Sequence, residues 1–270
     1  MPFYDAGDAA VYYEIGGAGP PLVMLHGYAL NGLMWELQRP AFAKSNTVMT
    51  VDLRGFGKSS CGQEWSADVM ADDVIGLIRE LGLCDATILG FSMSGPVAMR
   101  VAYEMPGTVT RLILASSILP SANRPKSTIE EQQQSEEMDV LRLHGCQAWA
   151  DFIGLSHGPM VDHMLKRNPA IGDIWKRMIA RHNPDFLLGM MAERMKSSLD
   201  DDRRERLKEI KQPTLVIAGE RDRRLIDASR HLAREIPKAQ LAIIHGAGHM
   251  ANLEAPEEFE KIVLGFLAGN

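Results

Sequence analysis

Leu89-Gly90-Phe91-Ser92-Met93-Ser94-Gly95 is the stretch on which the reading of this 270-residue chain turns. The apolar run Thr87-Ile88-Leu89-Gly90 ends at a serine with small residues two before it and two after it, and a helical pattern begins at once. A turn that tight between strand and helix strains the serine's backbone and leaves no room for side chains at the flanking positions. In the usual pattern the second small residue is glycine. Here Ser94 stands there with Gly95 following, so the expected turn is intact but slightly more crowded. Ser94 is the weaker candidate nucleophile, because Pro96 would then occupy a position that must be small.

Working outward, similar apolar runs recur at 22–25, 47–51, 112–115, 214–218 and 241–244. Near-continuous runs of this kind suit strands buried on both faces, as in a parallel sheet. Helical patterns fall between them. Over 66–81, Val69, Met70, Val74, Leu77, Ile78 and Leu81 share one face, with Ser66 as N-cap and Gly82 as the stop. Further helices are expected over 94–105, ended by Pro106, over 228–236, ended by Pro237, and over 257–267, after Pro256, where Phe259, Ile262, Val263 and Phe266 face inward. Alternation of strand and helix predicts an α/β fold with a doubly wound, mostly parallel sheet. Tyr12 and Ile15, ahead of the first buried run, suit an antiparallel edge.

The rhythm breaks between about 118 and 211, which has no clear strand and reads as several helices. The expected organisation is a core of 1–118 and 212–270 with a helical cap at 119–211. Met138, Met160, Met164, Met178, Met190, Met191 and Met195 fall there. They form the cap's own core, and some, Met190 first, line an adaptable apolar pocket.

A serine hydroxyl needs a base within hydrogen-bond reach to act as a nucleophile. Candidates follow the two last apolar runs: Glu220-Arg221-Asp222 after 214–219, and His245-Gly246-Ala247-Gly248-His249 after 241–244. His249, on a glycine-rich loop before the last helix, is the expected base; its competitor His245 is expected to pack or hydrogen-bond at the strand end. Asp222 is the expected orienting acid, with Glu220 and Asp227 as alternatives, and no acid follows 112–115, where Ser116 and Ser117 occur. Acyl transfer also needs donors aimed at a developing oxyanion. The backbone N–H of Met93 is one candidate and that of Tyr28, in His26-Gly27-Tyr28-Ala29, the other. His26 and the Tyr28 phenol are candidate pocket residues.

Composition excludes several classes. A formal charge of −6, with 24% charged and 46% hydrophobic residues, leaves no electrostatic footprint for nucleic acid or an anionic membrane. No apolar run reaches the roughly 18 residues of a membrane span, and the start at Met1-Pro2-Phe3-Tyr4 has no signal-peptide pattern. Cys61, Cys84 and Cys146 lack metal or disulfide spacing and are expected as small buried or half-buried side chains. A cytoplasmic monomer or homodimer, with no metal, is expected.

Taken together, the motifs resemble the α/β-hydrolase superfamily, in its capped group of small esterases, enol-lactonases, perhydrolases and carbon–carbon bond hydrolases. The matching pieces are Leu25-His26-Gly27-Tyr28, Asp52-Leu53-Arg54-Gly55-Phe56-Gly57-Lys58-Ser59-Ser60, the turn around Ser92, Gly219-Glu220-Arg221-Asp222, and Gly248-His249 through Phe259. The resemblance implies a cofactor-free serine hydrolase in which Ser92, His249 and Asp222 cleave a small carboxylic ester or lactone, with an apolar acyl or alkyl group, through an acyl-enzyme. Serine at position 92 separates the chain from relatives that carry aspartate there. Two rivals share the architecture. One is carbon–carbon hydrolysis or perhydrolysis on the same triad, the former wanting a cationic anchor such as Arg124, Arg142 or Arg181. The other is a receptor-like protein with little turnover.

Overall fold

The computed structural model describes residues 2–118, 128–156, 164–196, 205–223 and 225–269. Among the described residues, eight strands form one sheet in the order β1-β2-β4-β3-β5-β6-β7-β8. These are β1 Phe3–Asp5, β2 Ala10–Gly17, β3 Pro21–Leu25, β4 Thr47–Val51, β5 Ala86–Phe91, β6 Val109–Ala115, β7 Thr214–Gly219 and β8 Ala239–Ile244. β1 and β2 pair antiparallel and form the expected N-terminal edge, while β3 to β8 are parallel.

Each apolar run of the sequence becomes a strand, and β5 and β7 are buried along their whole length. β8 departs from the expectation of burial on both faces. It pairs with β7 alone, so it lies at the sheet edge; Ile244 is buried and Leu241 is 39% exposed.

The main helices sit where periodicity puts them. Following α1 Arg39–Phe42, α2 Ala67–Glu80 is capped by the Ser66 hydroxyl, which accepts from Val69 N–H at 3.2 Å, and its chain reverses through Gly82 at φ +60. α3 Gly95–Glu104 carries Pro96 in its first turn, where a missing N–H costs nothing. Between β6 and β7 lie α4 Thr128–Ser156, interrupted at Gly145 with φ +77, then α5 Gly172–Ile179 and α6 Pro184–Lys196. α7 Ile226–Glu235, α8 Ala251–Glu254 and α9 Pro256–Leu267 complete the chain, with Ile262 half-buried while Phe259, Val263 and Phe266 are buried. Met164, Met178, Met190 and Met191 join the apolar core; Met160 and the Met195 side chain lie outside what is described. Among the described residues, no helix is long and apolar enough to cross a membrane.

The strand order places a switch point beside β5. The chain passes from β3 to β4 on one side and from β5 to β6 on the other. Loops leaving the carboxyl ends of β3 and β5 therefore diverge around a crevice, the usual place for a ligand in an open α/β sheet.

Candidate active site

Ser92 stands at that switch point, directly after β5, with φ +51. A residue with a β-carbon avoids this region unless the surroundings enforce it. The enforcement is visible at Gly90, where an added β-carbon would lie 2.7 Å from both the Ser94 carbonyl oxygen and the Ala98 β-carbon. Gly95 is equally constrained, since its β-carbon would fall 1.7 Å from Ser117 Oγ. Glycine is thus demanded at 95, while position 94 accepts a serine. The Ser94 side chain, 0% exposed, braces the turn: Oγ accepts from Phe91 N–H at 2.9 Å and lies 3.0 Å from the Leu25 carbonyl, to which it donates. Ser94 is therefore sealed from any substrate.

His249 reaches the crevice from the loop after β8. Its Nδ1 lies 2.8 Å from Asp222 Oδ2 and its Nε2 lies 3.2 Å from Ser92 Oγ. An ionised carboxylate only accepts, so Nδ1 carries the hydrogen and Nε2 is left to accept from the serine hydroxyl. The Asp222 side chain is 3% exposed and that of His249 16%. The competing groups are engaged elsewhere. Glu220 faces His245, whose side chain is 81% exposed, with 3.3 Å between Oε1 and Nδ1, and Asp227 pairs with Arg230 at the surface. The Gly246 N–H and the His245 imidazole hold the Glu220 carboxyl below its ordinary range.

Two backbone N–H groups stand at the same end of the sheet. Met93 lies in the 3-10 turn that opens α3, where the first amides of a helix lack acceptors within it. Tyr28, half-buried, lies just past β3, the strand beside β5. Gly27 lets that loop close down on Phe91, whose ring carbon would sit 2.8 Å from an added β-carbon.

A family model for the α/β hydrolase family matches residues 22–262. The chain belongs to the α/β-hydrolase family. It is similar to the AB hydrolase superfamily protein YisY of Bacillus subtilis, with 28% identity over 95% of this chain and 94% of that one. Among solved structures it resembles a thermophilic esterase from Thermogutta terrifontis, with 26% identity, TM-score 0.79, and 97% and 94% of the two chains covered. It also resembles Est816, described as an N-acyl homoserine lactone degrading enzyme, with 28% identity, TM-score 0.77, and 98% and 100% covered. The chain is an α/β-hydrolase enzyme.

Within this α/β-hydrolase, His26 differs from its expected place in the pocket. It is 0% exposed; Nδ1–H donates to the Gly27 carbonyl at 2.7 Å and Nε2 accepts from Leu53 N–H at 2.9 Å. With both nitrogens committed, it ties the loops after β3 and β4 together beneath the site, and burial lowers its pKa to about 4. Met190 is on α6, 8% exposed, in the apolar core.

Three further side chains tie the loops around the site together. His182, 6% exposed, accepts from Gly57 N–H through Nδ1 at 3.1 Å, and burial pushes its pKa down to about 4 against the backbone of Ala29. Asn31 Nδ2 donates to the Met178 carbonyl at 2.8 Å. Asp52 spans the loops after β3 and β4 by accepting from Gly32 and Lys58 N–H at 2.7 and 2.9 Å, and burial raises its pKa. Spacing alone does not mark the His182 and Asn31 contacts, because each joins elements remote in sequence.

The candidate anchors for an acidic substrate turn outward or lie outside the described residues. Arg142 pairs with Asp139 and is 54% exposed in its side chain, Arg181 is exposed, and Arg124 is not described. Among the described residues, no group of three or more His, Cys, Asp or Glu is placed to hold a metal ion. Cys146 is buried as expected, but Cys61 and Cys84 are exposed, since both fall in surface loops rather than on an apolar face.

Proposed function

We propose that this α/β-hydrolase cleaves a small carboxylic ester or lactone through a covalent acyl-enzyme on Ser92. The supporting observation is the unbroken relay from Ser92 Oγ through His249 to the buried Asp222, at 3.2 and 2.8 Å. Ser92 Oγ attacks the substrate carbonyl carbon while its proton passes to His249 Nε2. Asp222 holds the imidazole in the needed tautomer and stabilises the imidazolium. The oxyanion lies between the Met93 and Tyr28 N–H groups. Collapse expels the alkoxide, which takes the proton from Nε2; in a lactone it stays tethered to the acyl group. A water deprotonated by Nε2 then adds to the acyl-enzyme, and its collapse returns the proton to Ser92 and frees the carboxylic acid.

The esterase and lactonase named above, each over 25% identical, support a carboxylic ester or lactone as the substrate class. In this reading 119–211 is a cap over the crevice, and its apolar residues, Met190 among them, select an apolar acyl or alkyl group.

The test is a panel of p-nitrophenyl esters, lactones and dienones, with organophosphate labelling of Ser92. Ser92→Ala and His249→Ala should each lower turnover of a short-chain ester by about 10⁴-fold or more. Parental turnover in either variant would overturn the assignment. Stoichiometric labelling without repeated turnover on any ester or lactone would favour the receptor-like alternative.

A further inference from the structure

His249 is gripped through its backbone as well as through its imidazole. The Ser116 hydroxyl, on the loop after β6, donates to the His249 carbonyl at 3.0 Å. The Met250 N–H, the other end of the same peptide unit, donates to Glu254 Oε1 at 3.2 Å. The second oxygen of that carboxylate, Oε2, accepts from Gly248 N–H at 2.8 Å. One peptide plane is thus held at both its C=O and its N–H, and the N–H of Gly248, the residue before His249, is held by the same carboxylate.

Both gripping residues sit where a different residue would be less costly. Ser116 is 1% exposed with φ +42, a conformation that favours glycine. Its own N–H donates to the Ile217 carbonyl at 2.8 Å, which wedges the strained turn between the end of β7 and the His249 loop. Glu254 is 4% exposed, and a buried carboxylate carries a desolvation cost that its hydrogen bonds must offset. Arg167 steadies it from the helical stretch, Nε donating to the Glu254 carbonyl at 3.0 Å.

We infer that Ser116 and Glu254 are positioning residues that fix the His249 imidazole against Ser92. The inference rests on the proposed roles of Ser92, His249 and Asp222. At 3.2 Å the Nε2–Oγ contact lies at the long end of hydrogen bonding, so displacement by a fraction of an ångström uncouples base from nucleophile. Rotation of the peptide unit leaving His249 would swing the side chain, and the two grips oppose that rotation from opposite sides.

The test compares the parent with Ser116→Gly, Glu254→Gln, Glu254→Asp and a Ser92→Ala control. Each is assayed for p-nitrophenyl acetate hydrolysis, for the rate of Ser92 phosphorylation by diethyl p-nitrophenyl phosphate, and for thermal unfolding. Ser116→Gly removes the hydroxyl while relieving the backbone strain, so kcat should fall about tenfold with KM and Tm nearly unchanged. Glu254→Gln should lose about 10- to 100-fold in kcat, and phosphorylation should slow in parallel. Glu254→Asp keeps the charge but cannot span both amides, so it should fall as far as Glu254→Gln.

Parental kcat and phosphorylation rates in folded Ser116→Gly, beside an inactive Ser92→Ala, would overturn the positioning role alone. Ser116→Gly decides the matter if the Glu254 variants fail to fold. Turnover surviving Ser92→Ala would overturn the triad reading and this inference with it.

Discussion

Asp222 Oδ2 lies 2.8 Å from His249 Nδ1, while Glu220, two residues earlier, turns its carboxylate to the surface and to His245. The two acids leave the same strand end, and their surroundings separate them. Asp222 has a side chain 3% exposed, where its charge acts on the imidazole with little screening; Glu220 is in water. Asp222→Asn should lower kcat for a short-chain ester by about 10³- to 10⁴-fold, through the wrong imidazole tautomer, with KM little changed. Glu220→Gln should leave kcat within about twofold, since a solvated pair contributes little. Steady-state kinetics on the two purified variants checks the pair, and a larger loss in Glu220→Gln than in Asp222→Asn would reverse the assignment of the acid.

Ser94 is the one departure from the expected motif, and its hydroxyl compensates for it. It supplies an acceptor to Phe91 N–H and a donor to the Leu25 carbonyl, both at a fully buried turn. Ser94→Ala leaves these groups facing a methyl and should lower unfolding free energy by about 1–3 kcal/mol. Urea denaturation measures this directly. Stability equal to the parent would mean that the ladder and turn satisfy both groups without Ser94.

Two buried histidines give the fold an acid sensitivity with a definite sign. His26 and His182 each drop from the ordinary 6.5 to about 4 because burial disfavours the imidazolium. Between these values the unfolded chain binds more protons than the folded one, so stability is complete above about pH 6.5 and is lost as pH falls toward 4. Each histidine carries up to about 3 kcal/mol of that loss. His182→Asn keeps an oxygen acceptor near the position of Nδ1 for Gly57 N–H but cannot titrate there. It should remove roughly half of the decline in denaturation midpoint between pH 7 and 4.5. A decline identical to the parent would place the acid sensitivity elsewhere.

What could be read from the chain follows the range of the interaction. The turn at Ser92, the strands and the cap at Ser66 are local patterns, and they survive in the structure because period and turn chemistry act within a few residues. Asp222 and His249 were legible as loop residues after particular strands, because the parallel sheet brings all such loops to one rim. The motif position of His26 suggests a pocket residue because it does not reveal that Leu53 N–H and the Gly27 carbonyl consume both nitrogens. The contacts of His182, Ser116 and Glu254 are not legible in the sequence because their partners lie on other elements or in backbone groups. β8 looked like a central strand because Leu241-Ala242-Ile243-Ile244 is apolar, and sequence does not say which strand ends the sheet.

The contact between Gly55 and Phe186 couples the loop after β4 to the helices between β6 and β7. Gly55 has φ +80, and a β-carbon there would meet Cζ of Phe186 at 2.2 Å. The ring is 5% exposed and makes edge contacts with Phe56 and Trp65, at 5.1 and 5.6 Å between centroids. Gly55→Ala therefore carries both backbone strain and a collision, and should lower stability by about 2–4 kcal/mol. Phe186→Leu should cost about 1–3 kcal/mol through lost ring packing. Combined, the two changes should cost less than their sum by about 1–2 kcal/mol, because the smaller side chain makes room for the methyl while the strain at φ +80 persists. A double-mutant cycle in urea measures that coupling. Strict additivity would mean that the loop and the helix do not press on each other at this point, and that the cost of Gly55→Ala is strain alone.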